Sequence, residues 1–176
     1  MVRKFSYIVS AIVVLGLTSC NQKDEESKKS FNRQEVAEQL INANKVALTA
    51  ENEQIDKLIV SNGWQMNKTG TGFRYQIVEK GNGPKAIKGD FVKIEYEVKL
   101  ISGEVIYTSE KTNLKEFRIG SGGVESGLEE GILLLKVGDK ARFIIPSYLA
   151  HGLSGDQDKI PPKATLIYTV KLIDLK

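Results

Sequence analysis

The chain has 176 residues, 41% of them hydrophobic and 27% charged, which is enough for one folded domain with an extension. Its 25 Lys and Arg residues against 22 Asp and Glu give a net charge of +3 with no basic cluster, which argues against a nucleic-acid-binding surface. One cysteine and one histidine exclude an intrachain disulfide and the usual zinc sites.

The first residues have the pattern of a targeting signal. A basic start is followed by an apolar run over 5–18, which is shorter than the ~20 residues that span a bilayer. Small residues then precede Cys20, as in a bacterial lipoprotein signal; an ordinary secretory signal is the alternative. We predict a lipoprotein signal peptide at 1–19 and acyl chains on Cys20 that anchor the chain in the bacterial cell envelope.

Residues 20–30 are polar and charged, and we predict a disordered tether there. The acidic cluster at 23–26 fits either a surface-export signal or a solvated linker. Inner membrane, outer membrane and surface exposure therefore all stay open.

Residues 31–69 are assigned to an amphipathic helical arm. Apolar residues recur mostly at spacings of three and four, as on one face of a helix. They are Val36, Leu40, Ala43, Ala47, Ile55, Leu58 and Ile59. A helix of 30 residues is about 45 Å long, so it either packs along the domain or serves as a dimerisation or partner-docking arm. An interruption near 49–52 would give two shorter helices.

From residue 70 the period changes to two. Phe73, Tyr75 and Ile77 alternate with polar residues and predict a strand. A longer strand follows Gly89-Asp90, and its apolar face is formed by Val92, Ile94, Tyr96, Val98 and Leu100. Further extended segments are predicted at 104–108, 117–119, 141–145 and 164–175.

One short helix is predicted from Ser126 to about Leu135, opened by a capping box of Ser126 and Glu129. The short connections and single helix predict an α+β fold for 70–176, an antiparallel twisted sheet wrapped over that helix. A sheet that hides one face behind a single helix can leave a shallow apolar pocket, which suits a proline ring.

Catalytic groups are scarce in this domain. His151 stands alone, the glycines at 120–123 lack the lysine of a phosphate loop, and Glu129 and Glu130 fit a helix start better than a catalytic pair. We therefore expect no metal, no cofactor and no covalent or acid–base chemistry. A reaction driven by binding alone is favoured.

Several segments resemble FKBP-type peptidyl-prolyl cis-trans isomerases in order and spacing. They are residues 92–96, 117–120, 124–131, 137–138, 144–152 and 160–166. The resemblance covers about 70–175 and implies an FKBP-like fold. The chain is most similar to the gliding-motility-associated isomerase lipoproteins of Bacteroidetes in its lipoprotein start, its helical arm and the sequences of 126–129 and 149–152.

The resemblance implies that the chain speeds rotation about X-Pro bonds in an apolar pocket. It places a set of apolar and aromatic side chains around the proline: Tyr96, Phe117, Val124, Leu128, Ile160 and Tyr168. It assigns the backbone N–H of Glu125 to a peptide carbonyl. Without the resemblance, the apolar members would be interpreted as ordinary core residues.

The sequence departs from the family pattern around this pocket. Leu128 stands where tryptophan is usual, Ile106 replaces an aromatic wall and Tyr107 stands where an aspartate commonly lies. His151 takes the place of a tyrosine whose hydroxyl bonds the ligand, and a neutral imidazole N–H can act in its stead. Two lysines, Lys115 and Lys159, replace apolar rim residues.

The sequence thus predicts a membrane-anchored isomerase that assists the folding of exported proteins. The alternative is a catalytically weak chaperone or assembly module with the same fold, and a purely structural lipoprotein is a third option. Expected partners are proline-containing segments of exported proteins and the membrane at Cys20, without nucleic acid. A homodimer through the arm stays open.

Overall fold

The computed structural model describes residues 32–176. The predicted signal peptide, the tether and the lipidation site at Cys20 lie outside these residues. The elements in chain order are α1 Arg33–Ser61, β1 Asn67–Lys68, β2 Arg74–Glu79, β3 Phe91–Leu100, β4 Val105–Thr108, α2 Ser109–Thr112, β5 Lys115–Arg118, α3 Ser126–Ile132, β6 Lys140–Ile145 and β7 Leu166–Leu175.

The strands form one antiparallel sheet in the order β1-β2-β6-β7-β3-β4. One edge of β3 pairs with β7 from Val92 to Leu100, and its other edge is divided between β5 and β4. At the junction of β4 and β5, the N–H of Tyr96 donates to Ser109 Oγ over 3.2 Å. The predicted fold class, an antiparallel sheet with a short helix and a preceding helix, is confirmed.

The alternation predicted for β3 determines where the core lies. Val92, Ile94 and Val98 are buried, while Glu95 on the opposite face is exposed. The buried side chains of β3, β6 and β7 pack with those of α3 into one main apolar core. The period-two pattern thus predicted both the strand and its buried face.

Helix α3 lies very close to the sheet because two of its positions are glycine. A Cβ on Gly131 would lie 2.5 Å from Cε2 of the Phe143 ring, and one on Gly127 would collide with Ile145. Both neighbours are buried core residues. The glycines therefore permit the close approach of helix and sheet.

The predicted capping box at the start of α3 is wrong. The N-cap residue is Glu125, and Ser126 Oγ donates to the carbonyl of Leu149 over 3.3 Å. Glu129 Oε1 accepts instead from the N–H groups of Gly120 and Gly122, at 3.1 and 3.3 Å. Tertiary partners thus take both side chains away from the helix end. The helix also ends earlier than predicted, at Ile132.

Helix α1 is continuous, without the interruption considered near 49–52. Its second half packs on the outer face of the sheet, where Ile55 is buried against Ile144 and Ile167. Its first half is exposed to solvent apart from Val36, which is half-buried. The second half of α1 therefore packs along the domain, and dimerisation or partner docking stays a prediction for the exposed first half.

A buried arginine joins α1 to the sheet. Arg74 was predicted on the polar face of β2, yet it is 1% exposed. Its guanidinium donates to Asp56 Oδ1 over 2.8 Å, to Asn52 Oδ1 over 2.9 Å and to the carbonyl of Gly72. Burial follows because α1 covers this face. Within residues 32–176, no helix has both the length and the apolar composition to cross a bilayer.

Candidate active site

The predicted apolar site residues come together in the main core although they lie on four strands, a helix and two loops. Phe117 of β5, Leu128 of α3, Tyr168 of β7 and Ile160 of the loop before β7 are all buried there, and Leu128 is 0% exposed. The remaining members are Tyr96, Ile106, Tyr107 and Val124, which pack against or within the same cluster. The sheet order explains this, since β5 and β7 both pair with β3.

A carboxylate is buried beside this apolar cluster. The side chain of Glu125 is 7% exposed, and its Oε1 accepts from the Tyr168 hydroxyl over 2.7 Å and lies 2.9 Å from His151 Nε2. Its Oε2 is also buried and has no hydrogen-bond partner within residues 32–176. Three predicted site residues therefore meet at one oxygen.

The surroundings favour the ionised form of Glu125. Burial acts to raise the pKa of this carboxyl, but the charge of Lys115, its own backbone N–H and the bonds from Tyr168 and His151 outweigh it, so the pKa is lowered. Burial first, and then the Glu125 charge, raise the pKa of Tyr168 well above its usual value. Glu125 is thus an acceptor, and His151 donates to it through Nε2–H.

A hollow of about 340 Å³ opens at this carboxylate. It is lined by Lys115, Gly122, Gly123, Val124, Glu125, Ala150 and His151. Leu128 does not line it, and with no exposed surface Leu128 touches a substrate only if neighbouring side chains move. Its role as the pocket floor stays a prediction.

Tyr107 organises the loop that carries Ile160. Its hydroxyl donates to Asp156 Oδ2 over 2.6 Å, and Asp158 Oδ2 lies 3.1 Å from the same hydroxyl oxygen. Asp156 Oδ1 in turn accepts from the N–H of Ile160 over 2.7 Å. Tyr107 therefore acts on the site through Asp156.

The charges of this loop follow from the same bonds. Burial acts to raise the pKa of Asp156, but the hydrogen bonds, led by that of Tyr107, lower it to about 2. Lys159 Nζ lies 5.2 Å from the Tyr107 ring, and Lys115 Nζ lies 5.5 Å from the Tyr96 ring. The two rim lysines thus lie over aromatic faces.

Across the described part of the chain, no cluster of His, Asp or Glu is arranged to hold a metal ion.

Comparison with known proteins decides the family. Residues 83–173, just over half of the chain, match the family model described as FKBP-type peptidyl-prolyl cis-trans isomerase. The chain belongs to this family. The matched segment contains every predicted site residue, from Tyr96 to Tyr168.

Several FKBP-family proteins are similar to this chain. A probable isomerase named FkpA from Neisseria meningitidis is 42% identical over 107 residues, which are 61% of this chain and 39% of that protein. A probable isomerase from Haemophilus influenzae is 33% identical over 160 residues, covering 88% of this chain and 65% of that protein. The chain therefore spans less than two thirds of the length of these curated relatives.

A solved structure gives the same result for the fold. The crystal structure of FkpA from Escherichia coli aligns with a TM-score of 0.63 at 30% identity, covering 84% of this chain and 74% of that one. The likeness therefore extends beyond the residues of the family model.

Sequence reasoning missed the contacts of three acidic side chains in or near this site. The carboxylate of Glu125 was not predicted to act, since only its backbone N–H was assigned. Asp156, which holds the loop of Ile160, and Glu51 of α1, which bonds Ser147 and Thr165, were not singled out. Each bonds residues far away in sequence or in an irregular loop, so no local spacing indicated it.

Proposed function

We propose that the protein is a peptidyl-prolyl cis-trans isomerase that assists the folding of exported proteins. The observation that carries the proposal is the family match over 83–173, which contains all the predicted site residues in the cluster around Leu128 and Tyr168. The chain spans less than two thirds of these curated relatives, so their full activities are not assigned to it.

The proposed mechanism needs no covalent step. Rotation about an X-Pro bond has a barrier of ~20 kcal/mol because amide resonance is lost in the twisted state. A twisted amide has a smaller dipole and less need of hydration, so an apolar environment lowers the barrier. Tyr96, Phe117, Val124, Leu128 and Ile160 would supply that environment, with Tyr168 beside them.

The backbone N–H of Glu125 is the donor that we assign to the substrate carbonyl. The Tyr168 hydroxyl and His151 Nε2 already bond the Glu125 carboxylate, and the Glu125 N–H, which also lies at that carboxylate, would have to turn to the substrate on binding. We therefore expect His151 to position Glu125 rather than to hold the substrate.

Catalysis on proline peptides tests this function. The full chain, in detergent, should speed cis-to-trans conversion in a panel of X-Pro peptides whose uncatalysed conversion takes tens of seconds. The matched control is the same panel in the same detergent buffer without the protein. If no peptide in the panel converts faster than in buffer, the proposed activity is wrong.

We also propose where in the cell the protein acts. We propose that acylated Cys20 holds the protein at a membrane of the bacterial envelope, where it meets exported chains; the lipoprotein pattern around Cys20 supports this. Cys20→Ala should move the protein from the membrane fraction to the soluble fraction. Equal membrane retention of both forms would overturn the lipid anchor.

One observation favours a second candidate, a chaperone that binds clients on the arm. Leu40, Ile41 and Val46 in the first half of α1 are 62%, 65% and 69% exposed. A client site here requires these side chains to form one apolar patch, since single exposed apolar residues are common on protein surfaces. A homodimer through this half of α1 and a role in gliding motility stay predictions.

Two sets of substitutions separate the candidates. A triple variant with serine at Leu40, Ile41 and Val46 should lose aggregation suppression but keep isomerisation if the arm binds clients. The control places serine at the exposed polar residues Gln39, Asn42 and Lys45 of the same helix. Suppression without any isomerisation by the wild type would favour the chaperone as the main function.

A further inference from the structure

One carboxylate of α1 bonds both ends of a segment that carries two predicted site residues. We name residues 147–165, between β6 and β7, the site segment; it contains His151 and Ile160. Glu51 Oε1 accepts from the N–H of Ser147 and from Thr165 Oγ1, each over 2.6 Å. Glu51 Oε2 accepts from Ser147 Oγ over 3.1 Å. The two ends of the site segment are thus tied together at one side chain.

Hydrogen bonds continue from this contact into the site segment. The carbonyl of Ser147 accepts from the N–H of Gly152 over 2.8 Å, and the carbonyl of Gly152 accepts from the N–H of Lys163 over 2.8 Å. Gly152 directly follows His151. A change at Ser147 therefore reaches the residue next to the imidazole through one further bond.

Glu51 lies on the half of α1 that is packed against the sheet. The same half of α1 buries Ile55 against the sheet and pairs Asp56 with the buried Arg74. Thr165 is itself buried, so its hydroxyl has no solvent to replace a lost acceptor. Hydrogen bonds to an ionised acceptor are stronger than neutral ones, which suits a contact that fixes a loop.

We propose that Glu51 is a positioning residue for the active site: its carboxylate fixes the site segment, and thereby His151 and Ile160, from outside the isomerase domain proper. The proposal rests on the proposed function for its effect on turnover. Under this proposal the packed half of α1 contributes to isomerisation, whether or not the exposed half binds a client.

The experiment compares Glu51→Ala with Glu53→Ala in the full chain. Glu53 is exposed two residues further along the same helix, so the control matches the changes in charge and helix propensity. Two quantities are measured at a temperature where circular dichroism shows every variant folded: kcat/KM on an X-Pro peptide, and hydrogen exchange at the amides of Gly152 and Lys163. Neither amide contacts Glu51 directly.

Glu51→Ala should lower kcat/KM and speed exchange at both amides, each on the order of tenfold, since charged hydrogen bonds are lost at the base of the segment. Glu53→Ala should change neither. Thr165→Val, which is nearly isosteric, keeps the test open if Glu51→Ala does not fold. Thr165→Val should lower kcat/KM and speed exchange by less than Glu51→Ala does. The double variant Glu51→Ala with Thr165→Val should be no worse than Glu51→Ala alone.

The outcomes separate the two proposals. Equal values for Glu51→Ala and Glu53→Ala in both measurements overturn the positioning role. If the wild type itself shows no isomerisation, the proposed function fails, and exchange at Gly152 and Lys163 still decides whether Glu51 fixes the segment. Additive losses in the double variant would contradict a shared contact.

Discussion

Glu125 is the residue whose physics most distinguishes this site. An ionised carboxylate beside an apolar cluster is costly unless donors compensate for the lost water. Tyr168 of β7 and His151 of the site segment supply hydrogen bonds, and Lys115 of β5 supplies a positive charge. Three elements are therefore tied to one side chain, and its charge state affects them all.

The pH dependence of stability tests this interpretation of Glu125. Its folded-state pKa is lowered from the ordinary value of 4.5. A lowered pKa contributes stability that is present above the unfolded-state pKa and is lost as pH falls through the folded-state pKa. Relative to Glu125→Gln, the wild type should thus be more stable at pH 7, with a difference that shrinks below about pH 4.5.

Urea unfolding between pH 7 and pH 3 measures that difference. The matched control is Glu104→Gln, which removes a charge from an exposed position. Parallel pH curves for wild type and Glu125→Gln, like those expected for the control, would contradict the assignment.

Among the elements, α3 depends on the sheet more than on its own sequence. It has seven residues, its N-cap side chain makes no capping hydrogen bond, and two of its residues are glycine. Isolated helices of this length are not stable in water. Its position is therefore determined by packing of Leu128 and Ile132 into the core and by the space at Gly127 and Gly131.

Gly131→Ala should destabilise the protein although alanine favours a helix by about 1 kcal/mol. The added methyl would lie 2.5 Å from Cε2 of the Phe143 ring, which is buried in the main core. Overpacking of this kind costs about 1–3 kcal/mol, so we expect a net loss of about 1 kcal/mol. Thermal or urea unfolding measures it, with Gly70→Ala, where no atom lies within 4 Å, as control. A more stable Gly131→Ala protein would show that the contact relaxes at no cost.

At the scale of the whole molecule, the second half of α1 is packed against the sheet. Ile55 fills an apolar cluster on the outer face, and Arg74 is buried between Asp56, Asn52 and Gly72. A buried guanidinium that loses an acceptor is destabilising because the remaining charge is uncompensated. The arm is thus partly a structural element of the domain.

Asp56→Ala should therefore lower the free energy of unfolding by about 1 kcal/mol, a moderate loss since Asn52 and Gly72 still accept from Arg74. The effect should appear in the main unfolding transition of the sheet, followed by Tyr and Trp fluorescence. Glu53→Ala again serves as control. No change in that transition would mean that α1 unfolds separately from the sheet.

The sequence predicted what depends on local periodicity. The alternation from Val92 to Leu100 predicted β3 and its buried face, and the spacing from Val36 to Ile59 predicted α1. It did not predict that Arg74 is buried, because the partner Asp56 lies 18 residues away on another element. The contact of Glu125 with Tyr168 spans 43 residues, and no local pattern encodes it.

The capping box at Ser126 shows why local patterns also mislead. The pair Ser126 and Glu129 has the spacing of a cap, yet Leu149, Gly120 and Gly122 offer better-placed partners in the folded chain. The apolar site residues were predictable only through the family resemblance. Their residue types alone are those of any core between a sheet and a helix.

The apolar site is tested most directly by isomerisation of an X-Pro peptide, measured for the wild type and for Leu128→Asp. The matched control is Leu40→Asp, on the exposed half of α1. A charge in the cluster around Leu128 should lower kcat/KM on the order of a hundredfold, while Leu40→Asp leaves it unchanged and His151→Phe lowers it less. Leu128→Ala replaces Leu128→Asp if the latter does not fold. A folded Leu128 variant that works at the wild-type rate would contradict the apolar site.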